Sequence, residues 1–115
     1  MTEIYSYNTA QVNTLIDLWA SWLKDIRRYS VNTLDAYMRD LTEFLHFLSE
    51  EKQHSVDLQD LQTLSPRQIR HFLSYRTHKN IEKSSLAREL SALKNFYKWL
   101  NRNHHIQNTA LTIIQ

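Results

Sequence analysis

SSLARELSALKNFYKWL, residues 84–100, places Leu86, Leu90, Leu93, Tyr97 and Leu100 at three- and four-residue spacing. That recurrence belongs to an α-helix with one buried face. It is the longest clean apolar stripe in the 115-residue chain. The spacing predicts a helix over 84–103, with Ser84 or Ser85 as its cap.

Working outward, the same test finds three more helices. Val12, Leu15, Ile16, Trp19, Trp22, Leu23 and Ile26 mark one over 9–28, closed by Asp25, Arg27 and Arg28. Leu34, Tyr37, Met38, Leu41, Phe44, Leu45 and Leu48 mark another over 31–51, with Ser30 and Asn32 as candidate caps. Ser65-Pro66-Arg67-Gln68 is a start signal: a cap, Pro at the first helical position, and Gln68 able to complete a capping box. This third helix spans 66–78, and Asn80 can end it. Residues 52–60 read as an ordered loop from which Leu58, Leu61 and Leu64 fold back onto the core. The tail, 104–115, is polar and then apolar at Leu111, Ile113 and Ile114, as expected of a linker or helix leading to something it packs against. The expectation is an all-α, four-helix bundle over residues 1–115 as one domain.

Composition supports this reading. The chain has no Gly, where an average chain of this length carries about eight. Tight hairpins, dinucleotide folds and phosphate-cradling loops need Gly at positive φ, so all three are disfavoured together. With no Cys there is no disulfide framework, thiolate nucleophile or cysteine zinc site. The start, Met1-Thr-Glu-Ile-Tyr-Ser-Tyr, lacks the pattern of a signal peptide, and no apolar run nears the roughly 18 residues that span a bilayer. A soluble, cytoplasmic protein without a membrane partner is expected.

Charge divides sharply along the chain. Residues 1–60 hold 5 Lys+Arg against 10 Asp+Glu, and residues 61–115 hold 9 against 2. A basic helical half that also carries Ser, Asn and Tyr suits a phosphate backbone, because each neutralised phosphate releases condensed counterions. With Leu86 at zero and about 100° per residue, Arg88, Ser91, Asn95, Lys98 and Arg102 fall between roughly 120° and 200°, opposite the apolar stripe, and Ser84 joins them. The outward arc of the second helix holds Asn32, Asp35, Arg39, Thr42 and His46, with Thr33 and Ala36 beside it. Glu50 and Glu51 at its far end would repel phosphate. Contact with duplex DNA is therefore expected from the N-terminal half of the second helix and the basic face of the fourth.

Three segments carry a resemblance: Ser30-Val-Asn-Thr-Leu-Asp-Ala-Tyr-Met-Arg-Asp-Leu41, the helix opening at Ser65-Pro66, and residues 84–100. In order and spacing they resemble the N-terminal core-binding domain of tyrosine recombinases of the phage integrase family, most of all the Xer type. The resemblance runs from about Leu15 to Leu111. It implies a four-helix SAM-like domain forming half of a C-shaped clamp around a recombination half-site, with its second and fourth helices on the major groove. Carried over by position, Asn32, Thr33, Ala36 and Arg39 lie at the first contact helix, and Lys83, Ser84, Ser85, Arg88 and Ser91 at the second. Asn95 and Lys98 extend the second set from the wheel, and Arg88 is the leading candidate for a base-edge or phosphate contact. Ser30, Ser65, Leu86 and Ala87 match too, but capping or packing accounts for them.

For a complete enzyme, the resemblance implies DNA integration and recombination through a phosphotyrosyl intermediate, chromosome dimer resolution, a synaptic tetramer with related recombinase subunits, and a DNA translocase as partner. The family's Arg/Lys/His/Arg set and Tyr nucleophile belong to a second domain after the region seen here, so this chain is expected to be inert for strand cleavage. None of Tyr5, Tyr7, Tyr29, Tyr37, Tyr75 and Tyr97 lies in the motif of that nucleophile. One departure is Thr109 after Asn108, where the family usually places Pro, and it bears on the linker.

Other constellations are weaker. His71 and His78 could share a face and His104 and His105 are adjacent, but a metal site needs at least three converging ligands and no such pattern exists, so neither metal nor cofactor is expected. Asp57 and Asp60 have no partner base and read as capping or solubilising groups. Trp19, Trp22 and Trp99 could stack on bases, but Trp19 and Trp22 lie on or beside an apolar stripe. Two rival readings remain at this level: a stand-alone helical adaptor binding protein through its acidic half and apolar tail, and a helical DNA-binding module with no recombinase attached. Salt separates them, since phosphate binding weakens steeply with ionic strength and an apolar interface does not.

Overall fold

Thr9 lies in extended backbone and its hydroxyl accepts the Val12 N–H, so the first helix begins at the next residue. The computed structural model describes residues 7–103 and 105–113. Among the described residues six helices follow in order: α1 (Ala10–Asp25), α2 (Val31–Lys52), α3 (Leu58–Gln62), α4 (Pro66–His78), α5 (Lys83–Arg102) and α6 (Ala110–Ile113). The all-α class is as expected, with α3 and α6 added to the four long helices. The chain parts into two compact units, Met1–Leu58 and Gln59–Gln115.

In the first unit α1 packs on α2. Val12, Ile16, Trp19 and Leu23 from α1 and Leu41, Phe44, Leu45 and Leu48 from α2 are buried, each at 2% exposure or less. Burying a side chain of this kind contributes about 1.5–3 kcal/mol. Tyr37 is half-buried rather than a core residue; its ring stacks on Trp19 and meets Tyr29 edge-on. Ser30 is the cap of α2, accepting the Thr33 N–H at 3.1 Å, whereas Asn32 sits exposed within the first turn. Backbone bonds Thr9 N–H to Val56 O and Val56 N–H to Tyr7 O tie the start of the unit to the segment after α2.

α1 ends three residues short of the expected Arg28. The Ile26 and Arg27 N–H groups both turn back to the Trp22 carbonyl, Arg28 takes φ 56°, and the Arg27 guanidinium lies over the rings of Trp22 and Tyr29. Gln53, which closes α2, and Asn80, just beyond α4, are also left-handed. Asn80 fills the role expected of it. Arg28 and Gln53 take this conformation without being Gly, and each carries the Cβ penalty of about 1–2 kcal/mol that Gly avoids.

The second unit holds α4, α5 and α6 in mutual contact. The capping box is complete: the Ser65 hydroxyl accepts the Gln68 N–H at 3.2 Å, and the Gln68 side chain accepts the Ser65 N–H at 2.9 Å. Leu61 and Leu64 are buried, with Leu61 on α3, so part of the segment expected as loop is helical. Its core adds Ile69 and Phe72 from α4, Leu93, Phe96, Tyr97 and Leu100 from α5, and Ile106, Ala110 and Leu111 from the tail. The tail is thus built into this unit as far as Leu111. Ile114 lies outside the described residues.

Asn108 holds it there. Its side-chain amide donates to the carbonyls of Gln62 at 2.7 Å, Leu64 at 2.9 Å and Leu61 at 3.3 Å, and its Oδ1 accepts the Ala110 N–H at 2.8 Å. Asn101 on α5 pairs with the Asn108 backbone through two 2.8 Å bonds. Pro at position 109 is not needed for this junction, because Asn108 itself satisfies the first N–H of α6.

Candidate nucleic-acid interface

Burial of one face of α5 dictates what the other face offers. Leu93, Phe96, Tyr97 and Leu100 are at most 2% exposed. Opposite them Lys83, Ser84, Arg88, Ser91, Lys98 and Arg102 are exposed, and Ser85 and Asn95 are half-buried. The second unit therefore gathers all eight along one helix. Neither Ser84 nor Ser85 caps it: Glu82 occupies the cap position, without a side-chain bond, and both serines lie inside the first turn. A one-residue earlier start accounts for this, since Lys83 is already helical. The first turn is thus uncapped by the Glu82 side chain, which leaves a positive dipole end on the side of Lys83 and Ser84.

An ion pair that periodicity alone does not reveal ties α5 to α4. Glu89, 2% exposed, accepts Arg76 of α4 at both carboxylate oxygens, Nε to Oε1 at 3.0 Å and the guanidinium to Oε2 at 2.8 Å. This two-point geometry fixes direction as well as distance. Glu89 is one of two carboxylates in residues 61–115 and falls within the apolar stripe, the signal by which it could have been found.

In the first unit Asn32, Thr33 and Arg39 are exposed on α2, while Ala36 is half-buried. Thr33 is partly engaged, as its N–H and hydroxyl both meet the Ser30 hydroxyl. Asp35, exposed in the same arc, limits how much phosphate this surface accepts. Thr42 turns its hydroxyl to the Met38 carbonyl, and His46 stacks on Tyr7 at 4.0 Å. Both are thereby drawn away from the arc, which is left to Asn32, Thr33 and Arg39.

Two of the tyrosines hold their protons more tightly than a free phenol. Burial pushes the Tyr97 hydroxyl far above its ordinary pKa, the Asp60 charge adding to it, and the hydroxyl donates to the Leu61 carbonyl at 2.8 Å. Burial likewise raises Tyr37, with smaller contributions from Tyr29 and Asp40. The sign follows by linkage: the unfolded chain loses the Tyr97 proton near pH 10 while the folded chain keeps it. The contribution is complete below that pH and is lost as pH rises above it. Tyr97→Phe is expected to cost about 1 kcal/mol at pH 7 through the lost hydrogen bond, and to flatten the alkaline fall in stability seen in urea melts across pH 9–11. Tyr5 and His104 lie outside the described residues. His71 and His78 are exposed, and the His78 ring meets the Ser74 carbonyl of its own helix. Trp19 and Trp99 are buried and Trp22 is half-buried, which agrees with packing rather than base stacking. No helix among the described residues is long and apolar enough to cross a membrane.

Residues 16–104 match the family described as phage integrase, N-terminal SAM-like domain. The chain is 39% identical over 99 residues to the tyrosine recombinase XerC of Rickettsia typhi, covering 83% of this chain and 32% of that protein. It is 37% identical to XerC of Methylobacterium nodulans, over 84% of this chain and 30% of the relative. Against XerC of Natranaerobius thermophilus identity is 34%, over 89% and 32%. The chain therefore spans about a third of the length of these relatives. No solved structure matches it.

Proposed function

The chain belongs to the phage integrase N-terminal SAM-like family, as the N-terminal domain of a XerC-type tyrosine recombinase, and from that premise we propose that it grips duplex DNA at a recombination half-site. The observation that carries this reading is the outward arc of α5, where Arg88, Lys98 and Arg102, with Lys83 at the helix start, stand exposed while Leu93, Phe96, Tyr97 and Leu100 are buried. At about 1.5 Å per residue Arg88 and Lys98 lie roughly 15 Å apart along the axis, more than the ~12 Å width of the major groove. Arg88 is thus assigned to the groove, with Lys98 and Arg102 on flanking phosphates. Ser84, Ser85, Ser91 and Asn95 supply hydrogen bonds between them. Asn32, Thr33 and Arg39, with Ala36 allowing close approach, form the contact from α2.

In the whole protein this domain would position a catalytic domain that carries the Tyr nucleophile. The proposed activity is site-specific strand exchange serving chromosome dimer resolution in the cytoplasm, with related recombinase subunits in a synaptic tetramer and a DNA translocase as partner. By itself the chain holds DNA without cleaving it.

Fluorescence anisotropy with a labelled duplex tests this. Four α5 cations predict a slope of log K against log salt approaching roughly −3.6. Arg88→Ala is expected to weaken binding by about 1–3 kcal/mol and to lower the slope by about one. Binding that ignores both salt and Arg88→Ala would show the α5 face to be the wrong surface.

A further inference from the structure

Residues 61–81 contain no Asp or Glu. They include α4, whose orientation is set by its inward contacts: Ile69 and Phe72 are fully buried, and Arg76 reaches Glu89 on α5. With Arg67 at zero and about 100° per residue, Phe72, Arg76 and Ile69 fall between roughly 140° and 200°. The opposite arc, from roughly 300° through zero to 20°, holds Arg67, Arg70, Ser74 and His78, all exposed. Among the described residues neither Arg67 nor Arg70 pairs with a carboxylate. Lys79 follows just beyond the helix, its ammonium over the Tyr75 ring at 5.4 Å. The outward face of α4 is thus a second cationic surface, separate from that of α5.

The direction of this surface decides what it meets. On α5, Glu89 marks the side that faces α4, at roughly 300° with Leu86 at zero, and the arc from Arg88 to Arg102 is centred about 140° away from it. On α4, Arg76 marks the side that faces α5, and Arg67 and Arg70 point the other way. The two cationic faces therefore look out from opposite flanks of the second unit. DNA is stiff over about 150 bp, so a duplex seated on α5 does not bend round to reach α4. We infer that the outward face of α4 holds the phosphate backbone of a second duplex, so that one chain bridges two DNA segments. The inference rests on the DNA reading of α5 for the first of them. Guanidinium groups with a hydroxyl between turns, as Arg67, Arg70 and Ser74 provide, suit phosphate oxygens and read no sequence. A protein partner would need an uncovered apolar anchor, and the large apolar side chain exposed beside this arc, Tyr75, already has Lys79 over its ring.

The test is capture of a fluorescent duplex by a biotinylated duplex on beads, with the intact chain as the only link, beside anisotropy with one labelled duplex. Capture is expected, and it should fall again when protein is in large excess, as for any two-sided linker. Arg67, Arg70 and Lys79 together predict that the second duplex is released with a slope of log K against log salt of about −2.7. Arg67→Glu/Arg70→Glu should cut capture by about tenfold or more and change single-duplex affinity by less than about twofold. Glu in the first turns of α4 suits the helix dipole, so this variant should keep the urea midpoint. Sedimentation with duplex in excess should give one chain on two duplexes. The inference is overturned if one duplex binds but no second is captured, or if the double variant captures as well as the parent chain. It is also overturned if that variant loses single-duplex affinity as Arg88→Ala does, which would put both faces on one duplex. Two chains on two duplexes would place a second copy on α4 and overturn it as well. Duplex binding that survives Arg88→Ala but not Arg67→Glu/Arg70→Glu would support the α4 surface and remove the DNA reading of α5.

Discussion

Arg76→Ala is expected to destabilise the fold by about 3–5 kcal/mol, the cost of leaving a buried carboxylate without its partner. The Glu89 side chain is 3% exposed and that of Arg76 13%, so water cannot replace the lost bonds. Glu89→Ala should cost somewhat less, because the more accessible guanidinium is the group left behind. Attraction between the two charges mostly offsets the cost of burying them, so removing both need not be harmful. The double variant Arg76→Met/Glu89→Leu is expected to be more stable than either single alanine variant, with a coupling energy of about 2 kcal/mol or more. Urea midpoints at constant m-value measure all of these. Additive losses would mean that the pair contributes only local packing. The variants also bear on function: Glu89 lies within the apolar stripe and follows Arg88, so a double variant that folds but binds duplex poorly would show that the pair sets the rotation of α5.

This pair marks the boundary of what periodicity can tell. Spacing located α1, α2, α4 and α5, and the outward arcs followed, because a helix that buries Leu93, Phe96 and Leu100 has no choice about where Arg88 and Lys98 point. The capping box at Ser65 and Gln68 was legible for a similar reason, being local chemistry over four residues. Glu89 as an acid within the apolar stripe was visible in principle. Its partner was not, since Arg67, Arg70 and Arg76 are equivalent in sequence and only the packing of α4 on α5 selects one. The left-handed residues Arg28 and Gln53 defeat a rule that expects Gly or Asn at a helix end. The Asn108 bonds reach back more than forty residues, and no spacing rule encodes them.

Asn108→Ala is expected to cost about 2–4 kcal/mol, well beyond the usual value of one hydrogen bond. The Asn108 amide serves the carbonyls of Leu61, Gln62 and Leu64, while its oxygen accepts the Ala110 N–H, so one truncation strands polar groups on α3, the following turn and α6 together. Leu61 and Leu64 are at most 3% exposed, so their backbone is poorly placed to find water. Asn108→Asp discriminates between the two roles. It keeps an acceptor for the Ala110 N–H but turns a carboxylate toward carbonyl oxygens, and it should be at least as damaging as Ala. If Asp is instead nearly neutral, Asn108 acts as a helix cap and the carbonyl contacts matter little. Hydrogen exchange adds a local readout: Ala110 and Leu111 should lose protection before the core of α5 does. Since Asn108 meets α5 at Asn101, well along the helix from Arg88, the same variant should leave the Arg88 surface competent for duplex DNA.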